Sequence, residues 1–119
     1  VLDMCTYHLS DRDGACVATL GGMPKKLTDA EVGAALEQLA GWELRNGKLH
    51  REYRFADFTY AFGFMATCAT HIEKVNHHPE WLNVWNRVTV DLMTHDAGGI
   101  TEKDVKLASF LETVAARFA

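Results

Sequence analysis

The amino-acid sequence predicts an α+β fold: a single domain with a four-stranded antiparallel sheet backed by helices, in the order α-β-β-α-β-β-α. Three observations carry this expectation. Two runs, "TDAE" and "TEKD", have the Thr-x-x-acid spacing of a helix N-terminus, in which each side chain satisfies an orphan backbone N–H of the other residue. The pair Asn46-Gly47 lies between two strand-like segments, and this dipeptide readily takes the positive φ angles of a tight hairpin. From Leu82 to Leu92 the apolar residues fall mainly on even positions, the period of a strand with one buried face.

Residues 1–23 mix single apolar residues with turn formers and sustain no period. They are expected to be an extension, a processed remnant or a weak extra strand pair, with residues 24–119 forming the domain. The first helix opens at Thr28 with Glu31, presents Val32, Ala35, Leu36 and Leu39 on one face, and stops at Gly41. Strands follow near 42–45 and 48–55. Asp57 caps a long second helix in which Phe58, Phe62, Met65, Ala69, Ile72 and Val75 recur at three- and four-residue intervals until Pro79 forbids continuation. The run from Leu82 to Leu92 is long for one strand and is expected to be a hairpin bending near Asn86. Thr101 and Asp104 then open a final helix that offers Val105, Leu107, Ala108, Leu111, Val114 and Ala115 for packing.

Composition excludes several classes of function. With 48% hydrophobic and 24% charged residues, the 119-residue chain suits one compact core. A net charge of -4, with no basic run beyond Lys25-Lys26, lacks the footprint of direct nucleic-acid binding. No stretch reaches the ~20 apolar residues of a membrane span, and a cytoplasmic location, extending to the nucleus, is expected. Three widely spaced cysteines, Cys5, Cys16 and Cys68, indicate neither a disulfide framework nor a zinc site, and Cys68 reads as a small buried hydrophobe.

The six histidines differ in context. His8 and His50 read as solvated surface residues, and His71 as a packing residue of the long helix. His77, His78 and His95 each sit where a regular element hands over to a loop, and the second hairpin should return the chain from the first pair to the third. Three readings compete: a polar helix C-terminus, where a cation is favoured by the macrodipole; a three-histidine metal site, disfavoured by the adjacency of two ligands and by the missing i, i+4 spacing; and metal-free acid-base chemistry, which imidazoles near pKa ~6.5 can perform at neutral pH in both directions.

The segments "EKVNHHPEW" and "THDAGGITEKD", separated by "LNVWNRVTVDLM", resemble those of pterin-4a-carbinolamine dehydratases. "DFTYAFGFMATCA" and "LASFLE" extend the resemblance from about Leu27 to the C-terminus, while Met93 stands where the family would supply a small hydroxyl residue. The resemblance implies dehydration of a 4a-hydroxytetrahydropterin to the quinonoid dihydropterin, with no metal or organic cofactor. A proton goes to the departing 4a-hydroxyl, and the N5 proton is lost as the N5 lone pair helps expel water. By position it makes His77 and His95 general acids at the two faces of the pterin, and His78 a binding and orienting group. Asn76 and the segment Met93, Thr94, His95, Asp96 would contact the pterin. Glu73, a helical turn before His77, would tune the pair, and Trp81 would offer an apolar wall or simply join the core. Lys103, beside Thr101 and Asp104, reads as a solvated lysine, with a place at the border of the site as the alternative, and Trp42 and Trp85 as packing or subunit-contact residues.

The resemblance also implies a homodimer or homotetramer. It carries an alternative role as well, since animal members resemble dimerisation cofactors that bind a homeodomain transcription factor through helices. An exposed apolar helix face would serve either assembly.

Overall fold

A computed structural model describes residues 24–119, so the expectations for residues 1–23, including His8, Cys5 and Cys16, lie outside the described residues. Among the described residues the elements are α1 (Asp29–Glu37), β1 (Glu43–Arg45), β2 (Lys48–Arg54), α2 (Phe58–Val75), β3 (Glu80–Val84), β4 (Arg87–Leu92) and α3 (Glu102–Arg117), with a 3-10 turn at His95–Ala97. All strand pairs are antiparallel, in the order β1-β2-β4-β3. This is the expected α-β-β-α-β-β-α fold. Among the described residues no helix is long and apolar enough to cross a membrane.

Local chemistry explains the boundaries. Both Thr capping boxes form, Thr28 with Glu31 and Thr101 with Asp104, and the Asp57 side chain accepts from the Tyr60 N–H. The first hairpin turns on Asn46 (φ 52°) and Gly47 (φ 77°), two residue types that tolerate the left-handed region. The second turns at Trp85 and Asn86. Trp85 takes φ 52°, an unfavourable conformation for a bulky residue, and the Asn83 side chain braces it by donating to the carbonyls of Trp85 and Arg87.

The core lies between one face of the sheet and the helices. Leu49 and Tyr53 of β2 and Val88, Val90 and Leu92 of β4 meet Leu107, Ala108, Leu111 and Val114 of α3. Each buried Leu or Val among them contributes roughly 1.5–3 kcal/mol by leaving water. The buried face of α2 is Ala61, Phe64, Cys68 and Ile72, whereas Phe58, Phe62 and Val75 are exposed. Of the stripe expected from the sequence, Ile72 is buried and Met65 packs against the core, while Phe58, Phe62, Ala69 and Val75 are exposed, because this helix is apolar on more than one side and periodicity alone does not choose between faces. Aromatic packing makes the choice: Phe64 sits 5.0 Å from Tyr53 and 5.1 Å from Phe55, ring centre to ring centre. Cys68 is fully buried, and burial pushes its thiol up to about 12.

Two further expectations need correction. His50 is buried, not solvated: its Nδ1 lies 2.7 Å from Asp91 Oδ1, with Arg45 against the other ring nitrogen. The charged groups that pair with it come from the adjoining strands, Asp91 of β4 and Arg45 of β1, and they cover the ring. The end of α2 is also set earlier than Pro79. Val75 is the last helical residue and Asn76 takes φ 52°, ψ 42°, the left-handed cap that asparagine tolerates well. Pro79 restricts the residue before it and keeps the following segment extended.

Candidate active site

The left-handed Asn76 turns the chain out of α2 so that His77, His78 and Pro79 lead directly into β3. The β3-β4 hairpin then returns it to Met93, Thr94 and His95. Thr94 and Gly99 bridge across this loop, Thr94 N–H donating to Gly99 O at 2.8 Å, and Gly98 closes the 3-10 turn at φ 73°.

One carboxylate joins the two segments. Asp104, with 0% of its surface exposed, accepts from His77 Nε2 at 2.7 Å through Oδ1, and from the Thr94 hydroxyl at 2.8 Å and the Thr101 N–H at 2.9 Å through Oδ2. The hydrogens follow by elimination. Thr94 gives its only hydroxyl proton to Asp104, so Thr101 donates to Thr94 across 2.7 Å. The carboxylate only accepts, so His77 carries its proton on Nε2. His77 Nδ1 is left without a partner, alone among buried side-chain nitrogens and oxygens of the described residues. Leaving such a group unpaired costs about 1–3 kcal/mol, the kind of exception found where a group is kept for chemistry. A lone pair there can accept a hydrogen bond or a proton.

The other two histidines repeat the arrangement nearer the surface. His78 Nε2 lies 3.2 Å from Glu73 Oε1, and His95 Nε2 lies 3.3 Å from Glu80 Oε2. The side chains of His78 and His95 are 44% and 50% exposed, against 4% for His77, so the outer pair meets solvent and the inner one does not. Among the described residues no group of three His, Cys, Asp or Glu is placed to hold a metal ion.

The remaining predicted residues divide. Asn76 is half-buried at the helix end, and Asp96 is exposed on the 3-10 turn beside His95. Met93 is half-buried. Thr94 is buried with its hydroxyl turned inward to Asp104. Trp81 packs against the core opposite Val90. Lys103 is half-buried, not solvated, and with His71, Val75, His77, Lys106 and Leu107 it lines a cavity of about 150 Å3 behind His77. Burial lowers its pKa, against the pull of Asp104. His71 stacks on Phe110 at 3.8 Å, a packing role as expected.

Two residues were missed by sequence reasoning. Asp104 was read only as the capping acid of "TEKD", and Glu80 passed unnoticed between Pro79 and Trp81. A capping position two residues along from a loop of candidate histidines was the available signal for the first.

Comparison with known proteins places this geometry in context. The family model described as Pterin 4 alpha carbinolamine dehydratase matches residues 25–114. The chain belongs to this family. Within the pterin 4 alpha carbinolamine dehydratase family, a protein of Solibacter usitatus, provisionally named as that dehydratase, is 57% identical over 94 residues, which is 79% of this chain and 99% of the relative. A protein of Burkholderia multivorans with the same provisional name is 51% identical over 96 residues, covering 79% and 94% of the two chains. The crystal structure of a transcriptional coactivator/pterin dehydratase from Brucella melitensis superposes with a TM-score of 0.74 at 45% identity, covering 76% of this chain and 99% of that one.

Proposed function

We propose that this protein dehydrates a 4a-hydroxytetrahydropterin to the quinonoid dihydropterin by histidine acid-base catalysis, without a metal. The observation that carries the reading is the set of three histidines, each with Nε2 directed at its own carboxylate: His77 at Asp104, His78 at Glu73, His95 at Glu80. A carboxylate that holds one ring nitrogen fixes the tautomer and leaves the other to exchange a proton.

In this reading the pterin lies on the open side formed by His78 and His95, because the cavity of about 150 Å3 behind His77 is smaller than the roughly 300 Å3 and upwards typical of ligand pockets. The resemblance sets His95 and His77 at the two faces; with the His77 proton held on Nε2 by Asp104 and a lone pair at Nδ1, His95 delivers the proton to the 4a-hydroxyl, His77 takes the one from N5, and His78 orients the ring. The C4a–O bond breaks as the hydroxyl takes a proton and leaves as water. The N5 lone pair forms the C4a=N5 bond, and the N5 proton passes to a basic imidazole. The proton given and the proton taken balance.

The test is steady-state dehydration of chemically generated carbinolamine by the purified protein. The expected result is acceleration over the spontaneous rate, unchanged after chelator treatment. No acceleration refutes the activity, and loss restored by added zinc refutes the metal-free mechanism.

A homo-oligomer is part of the proposal. Phe58 and Phe62 form an exposed aromatic pair on α2, and Leu82 and Val84 of β3, an edge strand, are exposed with Trp85 in the turn that follows. A dimerisation role toward a different protein is the second reading, favoured by the same α2 face and by the coactivator name of the Brucella melitensis relative. Sedimentation of the isolated protein separates the two. Self-association lost on Phe62→Ser favours the first, and a stable monomer with an unused face favours the second.

A further inference from the structure

We infer that Glu80 is a positioning residue for His95, held in place by Lys48 across the sheet; the inference rests on the dehydratase reading. Glu80 opens β3, and its Cα register partner is Asp91 on β4. Asp91 in turn pairs with His50 on β2, two residues along from Lys48. Lys48, Asp91 and Glu80 therefore share one face of the sheet, the face away from the helices. There Glu80 divides its carboxylate. Oε1 accepts from Lys48 Nζ at 2.6 Å, and Oε2 faces His95 Nε2 at 3.3 Å.

The division matters because the two ends differ in firmness. His95 stands on a three-residue turn, with its side chain half exposed, and nothing in that turn holds the ring. Glu80 and Lys48 belong to strands hydrogen-bonded into the sheet. A flexible glutamate alone would sample many rotamers. One whose other oxygen is anchored by Lys48 presents Oε2 to His95 in a narrower range, so the sheet sets the orientation of a loop histidine. With Nε2–H on Glu80, Nδ1 is the nitrogen left to meet substrate. The same short contact raises the Lys48 pKa, with the Glu80 hydrogen bond as its largest cause, so Lys48 stays charged throughout the neutral range.

The experiment is a double-mutant cycle on dehydration kinetics with His95→Ala, Glu80→Ala and the pair together, the fold being checked by circular dichroism. His95→Ala is expected to lower kcat about 100-fold, as for loss of a general acid. Glu80→Ala is expected to lower kcat about fivefold with KM unchanged, the size of a partly exposed charge-assisted contact. In the His95→Ala background the Glu80 change is expected to have no further effect, which a merely structural role would not produce. Lys48→Met is expected to reproduce part of the Glu80→Ala loss. Equal fivefold losses in both backgrounds, or a Glu80→Ala enzyme with wild-type kcat, overturn the positioning role while leaving the dehydratase reading intact. A wild-type protein without activity fails the underlying reading instead.

Discussion

At the scale of single residues, Asp104 does two jobs with one carboxylate. It completes the N-terminal box of α3 and holds His77 through Nε2. An asparagine has the same shape but supplies an N–H₂ where a donor already points. Asp104→Asn is therefore expected to destabilise the fold by about 1–3 kcal/mol in urea denaturation, through a buried mismatch of donors. It is also expected to lower kcat at temperatures where the protein remains folded, because His77 loses the carboxylate that fixes its ring and tautomer. The histidine pair and His95 were visible in the sequence, since each ends a periodic segment. That they meet through Asp104 was not, because hydrogen bonding between residues 27 positions apart leaves no trace in spacing. His50 shows the opposite failure: charged neighbours suggested water, and cross-strand pairing removed it.

At the scale of elements, the site depends on how α2 ends. Asn76 sits in the left-handed region, where a residue with a Cβ and no compensating polar side chain costs about 1–2 kcal/mol. Asn76→Gly is expected to keep wild-type stability, and Asn76→Ala to lose about 1 kcal/mol in the same urea assay. The α3 helix is tied to the sheet by Glu112, whose Oε2 accepts from Trp42 Nε1 at 2.8 Å, Arg51 Nε at 2.9 Å and Tyr53 OH at 2.6 Å. Burial pushes this carboxyl up, but the three donors together outweigh it and leave it below the ordinary carboxylate value.

A depressed folded-state pKa contributes stability that is present above the unfolded value of about 4.3 and is lost as pH falls through the folded one. Urea midpoints measured from pH 6 downward are expected to fall in that acid window, and Glu112→Gln to remove part of the fall. Capping boxes and the Asn-Gly turn made most element boundaries legible. The buried face of α2 was not legible, because Phe58 and Phe62 satisfy a helical period as well as Phe64 does.

At the scale of the whole molecule, the fold brings a helix end and the return of a hairpin together through Asp104. A wider hollow of about 440 Å3 between β2 and the end of α3 is lined by Arg51, Tyr53, Glu112 and small alanines and contains no histidine. The order of elements and the antiparallel sheet were readable from capping signals and periodicity, whereas the strand order β1-β2-β4-β3 comes from the structure. The measurement that bears most directly on the proposed chemistry is the dehydration rate of the wild type beside His77→Ala, His78→Ala and His95→Ala, each verified as folded. The expected result is a catalysed rate that falls by about 100-fold or more when His77 or His95 is removed, and by less, chiefly through KM, when His78 is removed. Wild-type rates in all three folded variants would contradict the assignment of catalysis to these histidines.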